Sequence, residues 1–289
     1  MMGSDTAGVF DGAAPPLVLS SYTLGTEVSF PDRCRAAAAA GYDGIGLRAE
    51  NYWDAQDAGL SDTDMLGLAE QHGIRILEVE YLTGWGTLAD RNAAQQRKEQ
   101  AVFAMARAFG VKHMNAGLIE KPSIGEITEA FAGLCDRAGD DLIVALEFMP
   151  YSGVPDIGSA WQIMREAGRS NSGLIVDTWH WARSGATPAD LGPVPGEAII
   201  AVQLCDVLQT PMNEPRAESL GYRLPPGEGY GDTLGMVRAL RDRDVRPRLI
   251  GVEVISTELV SQGIDAAAQT CGDAARRVLA DARSAVSTS

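Results

Sequence analysis

The chain has 289 residues, 45% of them hydrophobic, enough to bury the core of one large domain or two ordinary ones. Asp and Glu number 39 against 24 Lys and Arg, and the formal charge of −15 repels phosphate-rich partners, which weighs against nucleic acid as a ligand. No segment offers about 18 uninterrupted apolar residues, so no membrane partner is expected.

The chain opens with "MMGSDTAGVFDGAAPP", which has neither a basic start nor an apolar run of signal-peptide length. It reads as an irregular tail over 1–15 of an untargeted, cytoplasmic protein. Eight short β-type runs follow: "LVLSS" (17–21), "GIGLRA" (44–49), "IRILEVE" (74–80), "KHMNAG" (112–117), "LIVALEF" (142–148), "GLIVD" (173–177), "IIAVQLCD" (199–206) and "LIGVEVI" (249–255). Helical segments such as "PDRCRAAAAAGY", "EITEAFAGLCDRAG" and "DTLGMVRALRDRD" lie between them, several opening at Asp or after Pro and several closing at Gly. Strands that read as continuous Ile, Leu and Val are buried on both faces, the mark of parallel strands covered by helices. Eight of them alternating with helices predict an α/β fold, a single closed (β/α)8 TIM barrel over about 16–285 in one domain of 1–289. The crossover after Trp181, "ARSGATPADLGPVPGEA", holds only a short helix, and the C-terminal "GIDAAAQTCGDAARRVLADARSAV" is helical. Cys34, Cys135, Cys205 and Cys271 form no CxxC pair and read as reduced core residues.

In such a barrel the chemistry sits at the C-terminal ends of the strands. There the chain places Glu147 in "ALEFMP", Asp177 at the end of "GLIVD", Gln203 in "AVQLCD" and Glu253 in "GVEVIS". Any one of these can be an isolated polar residue where a strand meets its loop, and Asp177 can be a helix cap. Together they are harder to explain that way, because three carboxylates buried at one mouth without a cation cost several kcal/mol. A divalent metal resolves the conflict, and oxygen ligands without a thiolate favour Mg²⁺ or Mn²⁺, with Co²⁺ next and zinc behind.

His180 follows Asp177 by three residues and is expected in the loop above the metal, flanked by Trp179 and Trp181. At least one tryptophan is expected to wall the pocket against water or stack on a ring-shaped substrate; core filling is the alternative. The loop after strand seven, "DVLQTPMNEPRAESLGYRLPPGEGYGD", carries Arg223 near its end, either a surface residue or an arginine folded over the acidic site to hold a hydroxyl or carboxylate. Glu80 and Asn115 are further candidates to face the pocket, whereas Tyr22 reads equally as packing. "RAENYWDAQDAG" and "YLTGWGTLAD" are candidate lid loops, with Trp53 and Trp85 as apolar walls or as packing against helices.

The ordered set "LEFMP", "VDTWH", "VQLCD", "RLPPGEG" and "VEVIS" resembles the xylose isomerase-like TIM-barrel superfamily of sugar isomerases, ketose 3-epimerases, inosose dehydratases and 3-dehydroshikimate dehydratases. The resemblance runs over nearly the whole chain. It implies that Glu147, Asp177, Gln203 and Glu253 bind one divalent metal, that His180 and Arg223 contact the substrate, and that the two glutamates exchange a proton with carbon. Many isomerases and epimerases carry histidine where this chain has Gln203, and glutamine there is familiar from some dehydratases. The segment "FMPYSGVPD" also lacks the extra glutamate of some epimerases and the basic side chains a dehydroshikimate enzyme would use on its carboxylate. The DNA-repair endonucleases of the superfamily need several histidines for a multi-zinc site, and this chain has three.

The expected chemistry is proton abstraction beside a carbonyl by Glu147 or Glu253, through an enediolate stabilised by the metal. Isomerisation or epimerisation of a sugar or polyol ketone is the first expectation and places the protein in carbohydrate metabolism. A lyase, dehydrating an inosose or dehydroshikimate, is the alternative. A non-catalytic partner subunit that keeps the fold is the third reading. The substrate is a small hydroxy-ketone or sugar; a homo-oligomer is compatible with the sequence, and no exposed stripe decides it.

Overall fold

The computed structural model describes residues 14–86 and 92–284. Eight parallel strands close into a barrel in sequence order: β1 (Leu17–Leu19), β2 (Gly44–Arg48), β3 (Arg75–Leu82), β4 (His113–Gly117), β5 (Ile143–Glu147), β6 (Ser172–Asp177), β7 (Ile199–Leu204) and β8 (Leu249–Val252). β8 returns to β1 in register, with Val18 beside Gly251, so the sheet has no edge. Each expected strand is present. Between them run α1 (Phe30–Ala39), α2 (Ala49–Asp57), α3 (Asp62–Gln71), α4 (Ala93–Phe109), α5 (Ile124–Ala138), α6 (Ile157–Ala167), α7 (Thr178–Ser184), α8 (Pro215–Ser219), α9 (Thr233–Asp242), α10 (Thr257–Ser261) and α11 (Ile264–Arg283).

The helix starts are written locally. Ser29, Ser61, Asn92, Ser123 and Asp156 each accept the N3 amide with a side-chain oxygen, which satisfies one orphan donor of the first turn. α4, α6 and α7 stop at Gly110, Gly168 and Gly185, all left-handed, where a glycine carries no Cβ penalty.

The core has two parts. A large shell of buried side chains fills the space between strands and helices, and the four cysteines are unpaired and buried. A small group of Val18, Ala145, Ile175, Ile200, Ala201 and Leu249 forms a separate cluster. Because strand side chains alternate faces, Glu147 stands two residues above Ala145, Asp177 above Ile175, and Gln203 above Ala201. The same alternation that makes an apolar floor from these strands therefore makes a polar ring one layer higher.

Three expectations change. "RAENYWDAQDAG" is not a lid loop: most of it is α2, opened by Asn51, whose side chain accepts the Arg48 amide. His180 lies in α7 rather than in a loop, because Asp177 caps that helix. The other candidate lid, "YLTGWGTLAD", falls partly outside the described residues; its first part, to Leu82, is strand β3, and Trp85 is core. Among the described residues no helix is long and apolar enough to cross a membrane.

Candidate active site

Four neighbouring strands deliver the ring. Glu147 ends β5, Asp177 ends β6, Gln203 lies on β7 in register with Asp177, and Glu253 follows β8; all four are buried. Asp177 does two things at once. Its Oδ1 accepts the His180 amide at 3.0 Å and starts α7, while its Oδ2 lies 2.8 Å from Arg223 Nη1. Cap and site residue are thus one arrangement, since the cap fixes where the His180 imidazole stands. That ring has Nε2 3.7 Å from Glu147 Oε1 and packs edge-on to Trp179 and Tyr151, with centroids 5.2 and 5.8 Å away. One ligand atom from each of Glu147, Asp177 and His180 lies within 4.8 Å of the others.

Arg223 is held from below and behind. The carboxylate of Asp206, just past β7, accepts the amides of Val207, Gly227 and Gly231 and the Thr233 hydroxyl. Antiparallel bridges Asp206–Leu224 and Tyr222–Ser256 then fasten the loop on both sides of Arg223. The arginine donates from Nε to the Ser219 carbonyl and from Nη1 to Asp177 Oδ2 and Glu253 Oε2, the last at 3.1 Å. It is 2% exposed, so the surface reading falls.

Charge is unevenly matched here. Glu78, Glu80, Glu147, Asp177 and Glu253 are five buried carboxylates, against three buried guanidiniums: Arg48 and Arg223, which ion-pair with members of the group, and Arg33, which acts on Glu80 from further off. Burial, then the charges of Glu253 and Asp177, hold the Glu147 carboxyl well above the usual range. Burial also raises Glu253, against the pull of Arg223 and Arg48. Glu80 is pushed up to about 8, first by burial and then by Glu78, with Arg48 opposing. Burial takes His180 down to about 3, so its imidazole is neutral. Glu147 Oε1, His180 Nδ1 and Gln203 Oε1 are buried without a hydrogen-bond partner. The converging atoms of Glu147, Asp177 and His180, with excess carboxylate around them and the unpartnered Gln203 Oε1 on the adjacent strand, fit a divalent cation, which satisfies such acceptors and offsets the charge.

The pocket above the ring holds about 280 Å³ and is lined by Glu147, His180, Arg223 and Glu253 among others. A larger cavity of about 720 Å³ lies at the opposite end of the barrel, beside Pro16, Leu77, His113 and Leu249, and holds none of the ring.

Other expected residues lie elsewhere. Asn115 does not face the pocket: its amide donates to Glu78 Oε1 at 2.9 Å, deeper in the barrel. Glu80 is likewise turned inward, where the missing Cβ of Gly46 leaves room for it, and accepts the Ser21 amide at 3.0 Å. Trp179 is fully buried behind His180 rather than walling the pocket, Trp85 donates to the Gly117 carbonyl in the core, and Trp53 stacks under Arg97. Conversely, Arg48, Lys98, Arg216, Tyr81 and Tyr151 line the pocket, and so does Tyr22. Arg48 had a signal: Gly44, Gly46 and Arg48 share one strand face, two small residues and then a long basic one. Lys98 and Arg216 sit on helices with no spacing that marks them.

Residues 34–273 match the family described as xylose isomerase-like TIM barrel. The chain belongs to this family. Within it, the chain is 25% identical over 224 residues to a 3-dehydroshikimate dehydratase of Pseudomonas aeruginosa, covering 74% of this chain and 34% of that protein. It is also 25% identical over 236 residues to an inosose isomerase of Bacillus velezensis, 76% of this chain and 79% of that one. The chain thus spans about a third of the dehydratase. Among solved family folds, the IOLI protein with a bound zinc atom superimposes with a TM-score of 0.80 at 20% identity, over 92% of this chain and 98% of that one.

Proposed function

We propose that the protein is a divalent-metal-dependent isomerase or epimerase of a small hydroxy-ketone that works by proton transfer at the carbon beside the carbonyl. The observation that carries this reading is the pair of buried glutamates, Glu147 and Glu253, lining one pocket next to Asp177 and the orphaned acceptors of Gln203 and His180. A divalent ion held by Glu147, Asp177, Gln203 and Glu253 supplies Lewis acidity to the carbonyl and its neighbouring hydroxyl. The ion is manganese or magnesium by the oxygen-rich donor set, with cobalt and zinc as competitors.

The chain's own groups divide the remaining work. Glu253 lies 3.1 Å from Arg223 Nη1 and 3.4 Å from Arg48 Nη2, two cations that favour its ionised form, so it is assigned as the base that takes the proton from carbon. Glu147 lines the same pocket and has no guanidinium within ion-pair distance among the described residues, and it is assigned as the counterpart that returns a proton. Neutral His180 accepts or donates one hydrogen bond to a substrate hydroxyl without adding charge. Tyr151 and Trp179 pack around His180 and keep that contact away from water.

Dehydration is the second reading. It is favoured by Gln203, and by basic side chains that line the pocket from β2, α4 and α8 although the stretch after Glu147 carries none. The test is to incubate metal-loaded protein with hydroxy-ketones in D₂O and follow the reaction by NMR and ultraviolet absorbance. Deuterium at the carbon beside the carbonyl without loss of water supports the first reading; a conjugated, absorbing product supports the second. Glu253→Gln is expected to slow either by about 10²- to 10⁴-fold. Turnover unchanged in Glu253→Gln contradicts the assignment of the base; no turnover of any hydroxy-ketone contradicts the reading and leaves a non-catalytic partner subunit.

A further inference from the structure

Arg48 differs from the other buried arginines in what its donors reach. Arg33 gives its Nε and both terminal nitrogens to backbone carbonyls of Val28, Ser21, Gly25 and Thr26. Arg223 is similarly occupied. Among the described residues Arg48, 8% exposed, has two long ion-pair contacts, 3.4 Å to Glu80 Oε2 and 3.4 Å to Glu253 Oε1, and its Nε has no hydrogen-bond partner. Its guanidinium carbon lies over the Tyr22 ring, 3.5 Å from the centre, and 5.3 Å from the centre of Tyr81. An arginine stacked on an aromatic face presents its N–H fork edge-on, the geometry that binds a carboxylate or phosphate with two parallel bonds.

The rim of the pocket points the same way. The chain carries far more acid than base, yet Arg48, Lys98, Arg216 and Arg223 line this pocket against only Glu147 and Glu253 among the acids. Arg216 is exposed and has no ion pair among the described residues. Lys98 Nζ is 2.8 Å from Glu50 in a partly buried pair, Lys98 20% and Glu50 43% exposed, and Lys98 also lines the pocket. Four basic side chains gathered around one pocket of a strongly negative molecule give an anion its partners at that place.

Resting on the hydroxy-ketone reading above, we infer that the pocket selects an anionic hydroxy-ketone, one bearing a carboxylate or a phosphate, which Arg48 grips against Tyr22 while Lys98 and Arg216 draw it in. The volume of about 280 Å³ is at the small end for ligand pockets and suits one small ring or short chain with its anionic group.

The test compares D-fructose, D-fructose 6-phosphate and 3-dehydroshikimate as equilibrium ligands of Mn²⁺-loaded protein at low and high salt. At least one anionic probe is expected to bind about tenfold or more tighter than D-fructose, and that margin to shrink between about 20 and 300 mM salt. Which anion binds better assigns carboxylate or phosphate. Lys98→Gln/Arg216→Gln, which alters two side chains at the rim, is expected to lose about fivefold or more of the margin and to keep its Mn²⁺ affinity. Arg48→Gln is expected to lose most of the rest. Equal binding of all three probes, or anion affinities unchanged in both variants, overturns the inference. The Mn²⁺ titration of the same samples reads the metal assignment on its own, and repeating the comparison on metal-free protein reads the anion preference on its own.

Discussion

Glu80 and His180 are buried titratable groups whose shifts run in opposite directions. The Glu80 carboxyl goes from its usual 4.5 up to about 8 on folding, so the folded chain holds a proton there that the unfolded chain releases. Its contribution is fully present below about pH 4.5 and is lost as pH rises through about 8. His180 is lowered to about 3, so its contribution is present above its usual 6.5 and is lost as pH falls toward 3. Between 6.5 and 8 His180 no longer contributes to the change with pH and Glu80 does, with the raised carboxyls of Glu147 and Glu253 acting in the same direction. Melting of metal-free protein is therefore expected to move to lower temperature across that window, with a stability slope of about 1.4 kcal/mol per pH unit for each proton lost. Glu80→Gln is expected to flatten that slope; an equally steep slope in this variant would show that other groups set it. Glu80 was visible in the sequence as an acid ending an apolar strand, but not the direction it faces. That depends on Gly46 of the neighbouring strand, where a Cβ would sit 1.8 Å from Glu80 Oε1. Glu147, Asp177, Gln203 and Glu253 were legible because each interrupts or ends a run of β-type apolar residues. Arg48 carried a signal only in sharing a strand face with Gly44 and Gly46, and one arginine after "GIGL" reads equally as a strand end facing water.

At the scale of elements, the long segment between β7 and α9 is the least regular part of the mouth and the part that positions Arg223. Its glycines and prolines read as a loop from sequence, and nothing in that reading indicated that one buried carboxylate ties it down. Asp206 accepts three amides and one hydroxyl at 2.8 to 3.0 Å, and an anion receiving that many donors is costly to remove. Asp206→Ala is expected to lower stability by about 3 kcal/mol or more, since it strands those amides. It is also expected to open the segment to limited proteolysis before the barrel unfolds. A variant as resistant as wild type would show that the two antiparallel bridges alone hold the loop. The short α7 follows a different logic. Its seven residues cannot hold a helix unaided, and it persists because Asp177 caps it, Gly185 closes it and Trp179 and Trp181 bury its face. That is why a helix stands where sequence periodicity suggested a loop.

For the molecule as a whole, the barrel separates an apolar floor from a ring of acids two residues higher on the same strands, and the pocket adds basic side chains around it. The order of the eight strands was legible throughout, because β-type runs alternating with capped helices specify neighbours in sequence order, whereas α2 and α7 stand where loops were expected. What lay beyond the sequence is the convergence of side chains from separate crossovers, which depends on strand register and on loops. The central claim is that this ring holds one divalent ion. The most direct measurement is calorimetric titration of Mn²⁺ into chelator-treated protein, for the wild type and for Asp177→Asn. Asparagine keeps an acceptor to cap α7 while removing a charge from the ring. One ion per chain is predicted for wild type, with protons released as the raised carboxyl of Glu147 ionises. Affinity in Asp177→Asn should fall at least about a hundredfold with the circular dichroism unchanged, as a direct ligand should cost no less than its supporting neighbours. Absence of binding by wild type, or equal binding by a folded Asp177→Asn, would contradict the account.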